Sequence, residues 1–428
     1  MSNKTEIIRI GEHKDKRAII DSESLNTYYF KNQKFGKYKS KNKPCFSIDN
    51  GVLSSHYYIG IDWLCEASNR AVYISPKLNE DGFETDYLKM LLTCLNDAEA
   101  SKHINNIYEI KSEESPIEID QSLDLLSPLL VIQYLNLVKQ LVKKGLKKSY
   151  YREEKHLNAR VKGKLLVSQT LKHYTYRNQP LKTICAFDTF GLNHPENKIL
   201  KAGLLFVQKY LSSFPEYAAL ASNSLQYCLP AFEEVTMPKN ISSLQHFKTS
   251  PFFSSYKEAI SLAQLILKRF GHNIRTVEAN KILTQPFWIN MPLLFELYAF
   301  TFLRKTYGGD IHYQYKSNYQ ELDFLLNTEG LQMVIDTKYK TKYGRGKNNK
   351  EDIRQLSGYA RMDKVYTELN NKPTNEVIDC LIIYPIRDKE NQHNKLLNLK
   401  DKVPLDDYVG FYLLGLSVPC ITNKIGVN

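Results

Sequence analysis

Two carboxylates and a lysine, Asp323, Asp336 and Lys338, stand in a stretch whose pattern reads as a β-hairpin. Residues 322–326 and 331–340 have the apolar make-up of strands, and Asn327 to Gly330 between them are turn formers. Side chains alternate along a strand, so Glu321, Asp323 and Leu325 share one face; Val334, Asp336, Lys338 and Lys340 likewise share one. A four-residue turn sets Asp323 opposite Val334 and diagonal to Asp336, ~7–8 Å away, a span that one cation bridges. Without a cation the two acids repel. Mg²⁺ removes that cost, since it takes one or two carboxylates together with waters and phosphate oxygens. The pattern therefore points to Mg²⁺ held by Asp323, Asp336 and the Thr337 carbonyl, acidifying a water and offsetting charge on a phosphorus centre. Lys338, one pleat beyond Asp336, orients or activates that water. The alternative for the same residues is a solvated hairpin face with ion pairs worth under ~1 kcal/mol each.

The surrounding elements supply context. Glu296 is a carboxylate inside an apolar helical run from Pro292 to Lys305, which is either a site acid or an acid at the helix edge. After the hairpin, Gln355 and Tyr359 stand four residues apart on an expected helix and so share its face, as site groups or as ordinary surface residues. Lys338, Lys340, Lys342, Arg345, Lys347 and Lys350 fall in a segment with no acid, suited to a phosphate backbone or to solvent.

Further upstream the first hundred residues read as β-rich, with strands at 57–61 and 71–75 and a basic loop at 31–44. Helices are expected at 86–95, at 128–144 (Ser127 as N-cap, Gly145 as stop), at 195–212 and at 253–270. A chain of 428 residues exceeds what one core ordinarily serves, and a boundary is placed near 275–285. The reading is a mixed α+β or α/β multidomain chain: a β-rich part at 1–110, a mainly helical linking region at 111–280, and a third part at 281–428. The formal charge of +12 suits a polyanionic partner, though it fits a merely basic protein as well. Seven scattered cysteines lack zinc-site spacing and are read as reduced, buried thiols. With no signal-like segment and no apolar run of ~20 residues, the expectation is a soluble cytoplasmic protein with no membrane partner.

The order of a helix glutamate, an Asp-x(12)-Asp-Thr-Lys hairpin and a helix carrying Gln and Tyr resembles the PD-(D/E)xK nuclease superfamily. Leu322 stands where the family name has proline, and Asp336 at the (D/E) position. The succession of Tyr57 to Ile61, Ile74 to Lys77, Gly145 to Tyr151, Arg160 to Leu165, Asn197 to Lys201, Tyr256 to Leu267 and Leu294 to Tyr298 is similar to McrC, the nuclease subunits of McrBC modification-dependent restriction systems. That resemblance covers nearly the whole chain apart from the first fifty residues. It implies a restriction-endonuclease-like C-terminal domain that cuts DNA with Mg²⁺, with Asp323, Asp336, Lys338, Glu296, Gln355 and Tyr359 in the catalytic centre. It also implies an N-terminal part that binds a separate hexameric AAA+ GTPase, McrB, which carries the reader of methylated cytosine. The sequence has no Gly-x(4)-Gly-Lys-[Ser/Thr] phosphate loop of its own. Around Gly163, flanked by Arg160 and Lys164, a tight basic turn is expected in the linking region, with no catalytic role. Two other functions stay open: a nuclease of another repair or defence pathway, and a non-cleaving scaffold that stimulates a partner NTPase.

Overall fold

The computed structural model describes residues 5–17, 28–29, 44–111, 113–120, 126–212, 215–237, 254–273, 281–317, 320–340, 343, 350–369, 376–387 and 397–421. The basic loop at 31–44, save Pro44, and Lys342, Arg345 and Lys347 lie outside them. The chain mixes α and β and divides into two units, one made of Met1–Leu129 with Ala279–Asn428, the other of Leu130–Glu278.

In the first unit, apolar strands near the N-terminus build a five-stranded sheet. Its order is Glu6–Gly11, Arg70–Ser75, Tyr58–Cys65, Phe287–Asn290 and Tyr108–Ile110. The first pair is parallel and the others antiparallel. Ile10, Leu64, Val72, Ile74 and Trp288 pack together on it. Phe287–Asn290 arrives from far along the sequence and fits between two N-terminal strands because Gly60 opposite Trp288 has no Cβ. A Cβ there would stand 2.1 Å from the Phe287 carbonyl oxygen. The Trp288 indole donates to Asp62 Oδ2 at 2.8 Å, and Lys111 Nζ meets the same oxygen at 2.6 Å, so this buried carboxylate is fully partnered.

The site lies on a second, six-stranded sheet, ordered Ile311–Ser317, Gln320–Thr328, Leu331–Thr337, Asp379–Arg387, Phe411–Val418 and Val403–Pro404. Three antiparallel strands come first. The helices Lys350–Tyr359 and Asp363–Glu368 then carry the chain across to a parallel partner, Asp379–Arg387. Such central strands are covered on both faces, and Val334, Ile335, Leu381 and Ile382 are wholly buried. Ile353 and Leu356 of the crossover helix pack against Leu325, Val334 and Ile382. The helix Met291–Tyr307 also packs on the sheet, its Phe300 ring stacked 6.0 Å from Phe324. Asn290 caps that helix by accepting from Leu293 N–H, and Pro292 sits in the first turn, where no donor is lost.

The hairpin register differs from the expected one. Thr328 pairs with Leu331, so the turn is the two residues Glu329 and Gly330 rather than four, with Gly330 at φ +77°. Leu325 faces Val334 and Phe324 faces Ile335; the next step of the same register sets Asp323 opposite Asp336 instead of Val334. The second strand also ends at Thr337, short of the expected residue 340. Lys338 N–H still donates to the Ile383 carbonyl at 2.9 Å, but Lys340 N–H turns back to the Lys338 carbonyl. Lys340 therefore leaves the face of Asp336.

In the second unit the helices Pro195–Ser212 and Ser254–Asn273 stand where expected. The helix Leu126–Lys144 begins before Ser127, which is therefore not its N-cap. Gly145, at φ +87°, ends it. Tyr134 donates to the Leu200 carbonyl at 2.5 Å, and Gly203 leaves room for that ring. Beside the helices, Ser149–Asn158, Lys182–Gly191 and Lys164–Leu165 form a three-stranded antiparallel sheet that the sequence did not announce. Gly163 takes φ +68°, the tight turn expected there, and a Cβ would stand 2.6 Å from the Ala186 carbonyl oxygen. All seven cysteines are unbridged, six buried and Cys65 half-buried. Among the described residues no helix is long and apolar enough to cross a membrane.

Candidate active site

The ladder with Leu331–Thr337 stops at Phe324, and Asp323, the next residue, lies beside the end of that strand, where Thr337 fixes its carboxylate. Thr337 N–H and Thr337 Oγ1 both donate to Asp323 Oδ2, at 2.7 and 2.6 Å. Asp336, 4% exposed, lies across from it and meets Lys338 Nζ at 2.6 Å. The same ammonium donates to Gln355 Oε1 at 3.1 Å, and Gln355 Nε2 donates to the Tyr359 hydroxyl at 2.7 Å. Asp336, Lys338, Gln355 and Tyr359 thus make one continuous polar chain from the strand to the crossover helix. The helical spacing of Gln355 and Tyr359 is what brings both to one side.

Glu296 reaches the site from the helix Met291–Tyr307. Gln314 Nε2 donates to its Oε1 at 3.3 Å and to the Tyr313 hydroxyl at 3.1 Å. Gln314 stands at φ +50° in the strand Ile311–Ser317, where the regular pairing with Asp323 is missing. This local kink aims an amide at the acids. Lys340 pairs instead with buried Asp352 at 2.5 Å, and Tyr343 also hydrogen-bonds that carboxylate.

Three acids share this space, and each resists ionisation. Burial pushes Asp336 up to about 7, helped by the charge of Asp323 and opposed by Lys338. Burial also raises Asp323, against the two Thr337 donors. For Glu296, burial comes first and Asp323 second, and the group lies well above the carboxylate range even though the residue keeps some exposed surface. Burial alone would lower Lys338, but Asp336, Asp323 and Asp352 outweigh it and leave the ammonium more basic than usual.

Such a site is short of positive charge. Asp323 Oδ1 carries no hydrogen bond among the described residues, and Asp336 Oδ2 has the Lys338 charge nearby without a well-aligned hydrogen bond. These oxygens fit a hard cation of the Mg²⁺ kind, which needs few protein ligands. The described residues hold no cage of three or more His, Cys, Asp and Glu side chains for a metal. A two-carboxylate site is the donor set that remains.

All seven residues singled out from the sequence therefore gather here, Thr337 through its N–H and hydroxyl. Gln314, Tyr313 and Asp352 were missed. Only Asp352 left a trace, as an acid one turn ahead of Gln355 on the same helix.

A family model described as McrBC 5-methylcytosine restriction system component matches residues 53–385. Among curated proteins no match was found. A solved half-complex from a tetradecameric assembly of Thermococcus gammatolerans McrB AAA+ hexamers with bound McrC is similar at 14% identity and a TM-score of 0.41, over 96% of this chain and 94% of that one. The cryo-EM structure of the Thermococcus gammatolerans McrBC complex is similar at 13% identity and a TM-score of 0.29, over 69% and 87%.

Proposed function

From the premise that this chain belongs to the McrBC 5-methylcytosine restriction system component family, we propose that it is the endonuclease subunit of such a system, cutting DNA with Mg²⁺ under the control of an McrB-like AAA+ GTPase. The observation that carries the reading is the convergence of two buried acids where the hairpin ladder stops, Asp323 held by Thr337 and acting on Asp336, with Lys338 on Asp336.

Asp323, Asp336 and the Thr337 carbonyl would hold the ion. When bound, it supplies positive charge that acidifies an attacking water and offsets charge gathering on the phosphate. Thr337 holds Asp323 in place through two donors, so this carboxylate is set before substrate arrives. Lys338, anchored by Gln355, presents protons to the water and to a phosphate oxygen. Glu296, kept protonated by its surroundings, adds no third negative charge. Water forms the new bond to phosphorus and releases a proton to solvent as the bond to the 3′ oxygen breaks; that oxygen takes up a proton from solvent, leaving 5′-phosphate and 3′-hydroxyl ends.

In this reading 281–428 is the PD-(D/E)xK domain, 1–110 binds the partner, and 111–280 links them. The GTPase supplies the motor and the reader of the methylated base, consistent with the missing phosphate loop, and the setting is the cytoplasm. The test is cleavage of methylated plasmid DNA with Mg²⁺, GTP and the partner, comparing wild type with Asp336→Ala. Cutting should need every component and vanish in the variant while partner GTP hydrolysis persists. Equal cutting by the variant would remove Asp336 from the site. No cutting by either, with GTP hydrolysis still stimulated, would favour a scaffold.

A further inference from the structure

Lys77 closes one of the N-terminal sequence landmarks, and the hairpin chemistry does not use it. It follows the strand Arg70–Ser75, and Glu12 follows the parallel neighbour Glu6–Gly11. Glu12 N–H donates to the Ser75 carbonyl at 2.8 Å, which places the two side chains together. Glu12 is wholly buried; its Oε1 lies 3.5 Å from Lys77 Nζ, and its Oε2 accepts from Lys77 N–H at 3.2 Å. The ammonium points over an aromatic face: Lys77 Nζ is 4.1 Å from the ring centroid of Tyr339 and 5.5 Å from that of Tyr57.

Tyr339 is the residue after Lys338. Its ring also packs 5.8 Å from Phe295, the residue before Glu296. Its hydroxyl is buried with no hydrogen-bond partner among the described residues, so the ring and not the hydroxyl fixes it. Two of the segments that deliver site groups, the one with Lys338 and the one with Glu296, therefore meet at Tyr339, and the N-terminal sheet covers this junction with a cation. A buried ion pair is a poor source of stability compared with apolar packing of the same size. Lys340 nearby makes this one costlier still. A pair placed at such expense needs another reason.

We propose that Lys77 is a positioning residue: held by Glu12, its ammonium clamps the Tyr339 ring and so fixes Lys338 in the nuclease site. The N-terminal sheet is then a working part of that site, not only a mount for a partner. This inference rests on the nuclease reading above. A cation–ring contact is stronger when desolvated than at an exposed site, enough to favour one backbone path after the strand.

The experiment uses the full chain with its GTPase partner, Mg²⁺ and methylated plasmid DNA, measuring kcat and KM for DNA, partner GTP hydrolysis and thermal melting. Glu12→Gln/Lys77→Met removes both charges and leaves no unpaired ion. It should melt close to wild type and stimulate the partner normally, yet lose at least about tenfold in kcat with little change in KM, since a misplacement of ~1 Å costs up to ~100-fold. Lys77→Arg should retain most of the rate. Tyr339→Phe, which keeps the ring, should cut like wild type, whereas Tyr339→Leu should reproduce the loss and add little to the charge-free variant.

Wild-type kcat in the charge-free variant overturns the inference, as does a loss that lies wholly in KM. Should that variant fail to fold, equal kcat for Tyr339→Phe and Tyr339→Leu overturns it instead. Asp336→Ala separates the two ideas. If it is inactive while the Lys77 variants cut normally, only the positioning role falls; if it cuts, the site assignment falls and the positioning role with it.

Discussion

Asp336 holds its proton up to about pH 7 because burial and the nearby Asp323 both disfavour the anion. Its ordinary pKa is 3.8, so between these values the native state binds more protons than the unfolded chain. The sign follows: whatever protonated Asp336 contributes to stability is present at low pH and is lost as pH rises through about 7. In metal-free buffer at pH 8, Asp336→Asn should therefore melt higher than wild type, by a few degrees at ~2–4 °C per kcal/mol. The gap should narrow as pH falls toward 4, and a flat difference would contradict the assigned burial and coupling. Mg²⁺ should reverse the order by binding only the native wild-type site, which raises its melting temperature. The Asn variant should respond little. An equal Mg²⁺ shift in both proteins would place the ion elsewhere.

At the scale of elements, most of the site was legible because residue type and period determine face. A turn shortened from four residues to two moves the pairing by an even step, so every side chain stays on its face while its partner changes. Asp323 and Asp336 therefore came together as expected, but the register that pairs Phe324 with Ile335 runs on to make them opposites rather than diagonal neighbours. Helical spacing likewise carried Gln355 and Tyr359. Gln314 was illegible, since a φ of +50° in the middle of a strand has no signature in its sequence. The strand Phe287–Asn290 could be seen neither as a strand nor as a member of the N-terminal sheet, because its neighbours are more than 170 residues away in the chain (288 against 60, 288 against 109). Two glycines separate local strain from long-range packing. At Gly330 nothing lies within 4 Å of a built Cβ, so Gly330→Ala should cost only about 1 kcal/mol of left-handed strain. At Gly60 the Cβ meets the Phe287 carbonyl, and Gly60→Ala should cost more than ~3 kcal/mol or prevent folding. Urea unfolding of the two variants decides, and equal costs would mean that the Phe287–Asn290 strand yields easily.

For the molecule as a whole, the way the chain leaves and re-enters its first unit matters more than the order of segments along the sequence. Ile117–Asp120 pairs antiparallel with Lys281–Thr284, and Asp120 stands opposite Lys281. The excursion between them begins and ends at adjacent residues on one two-stranded ladder, where Cα atoms are ~5 Å apart. Such a detour can be closed by a hairpin-sized turn. Replacing residues 121–280, the second unit together with the ends of the first that lead into it, with a Gly-Ser linker of about five residues should therefore leave the rest of the first unit folded, still melting cooperatively and still gaining stability from Mg²⁺. Residues 1–110 alone should not fold, because they lack the Phe287–Asn290 strand and wholly buried Trp288. A molten or aggregated first unit after the excision would show that the second unit is needed to hold the first together. A cooperative fold for 1–110 would show that the N-terminal sheet closes without its borrowed strand, and the Lys77 clamp would then join two separable domains rather than two parts of one.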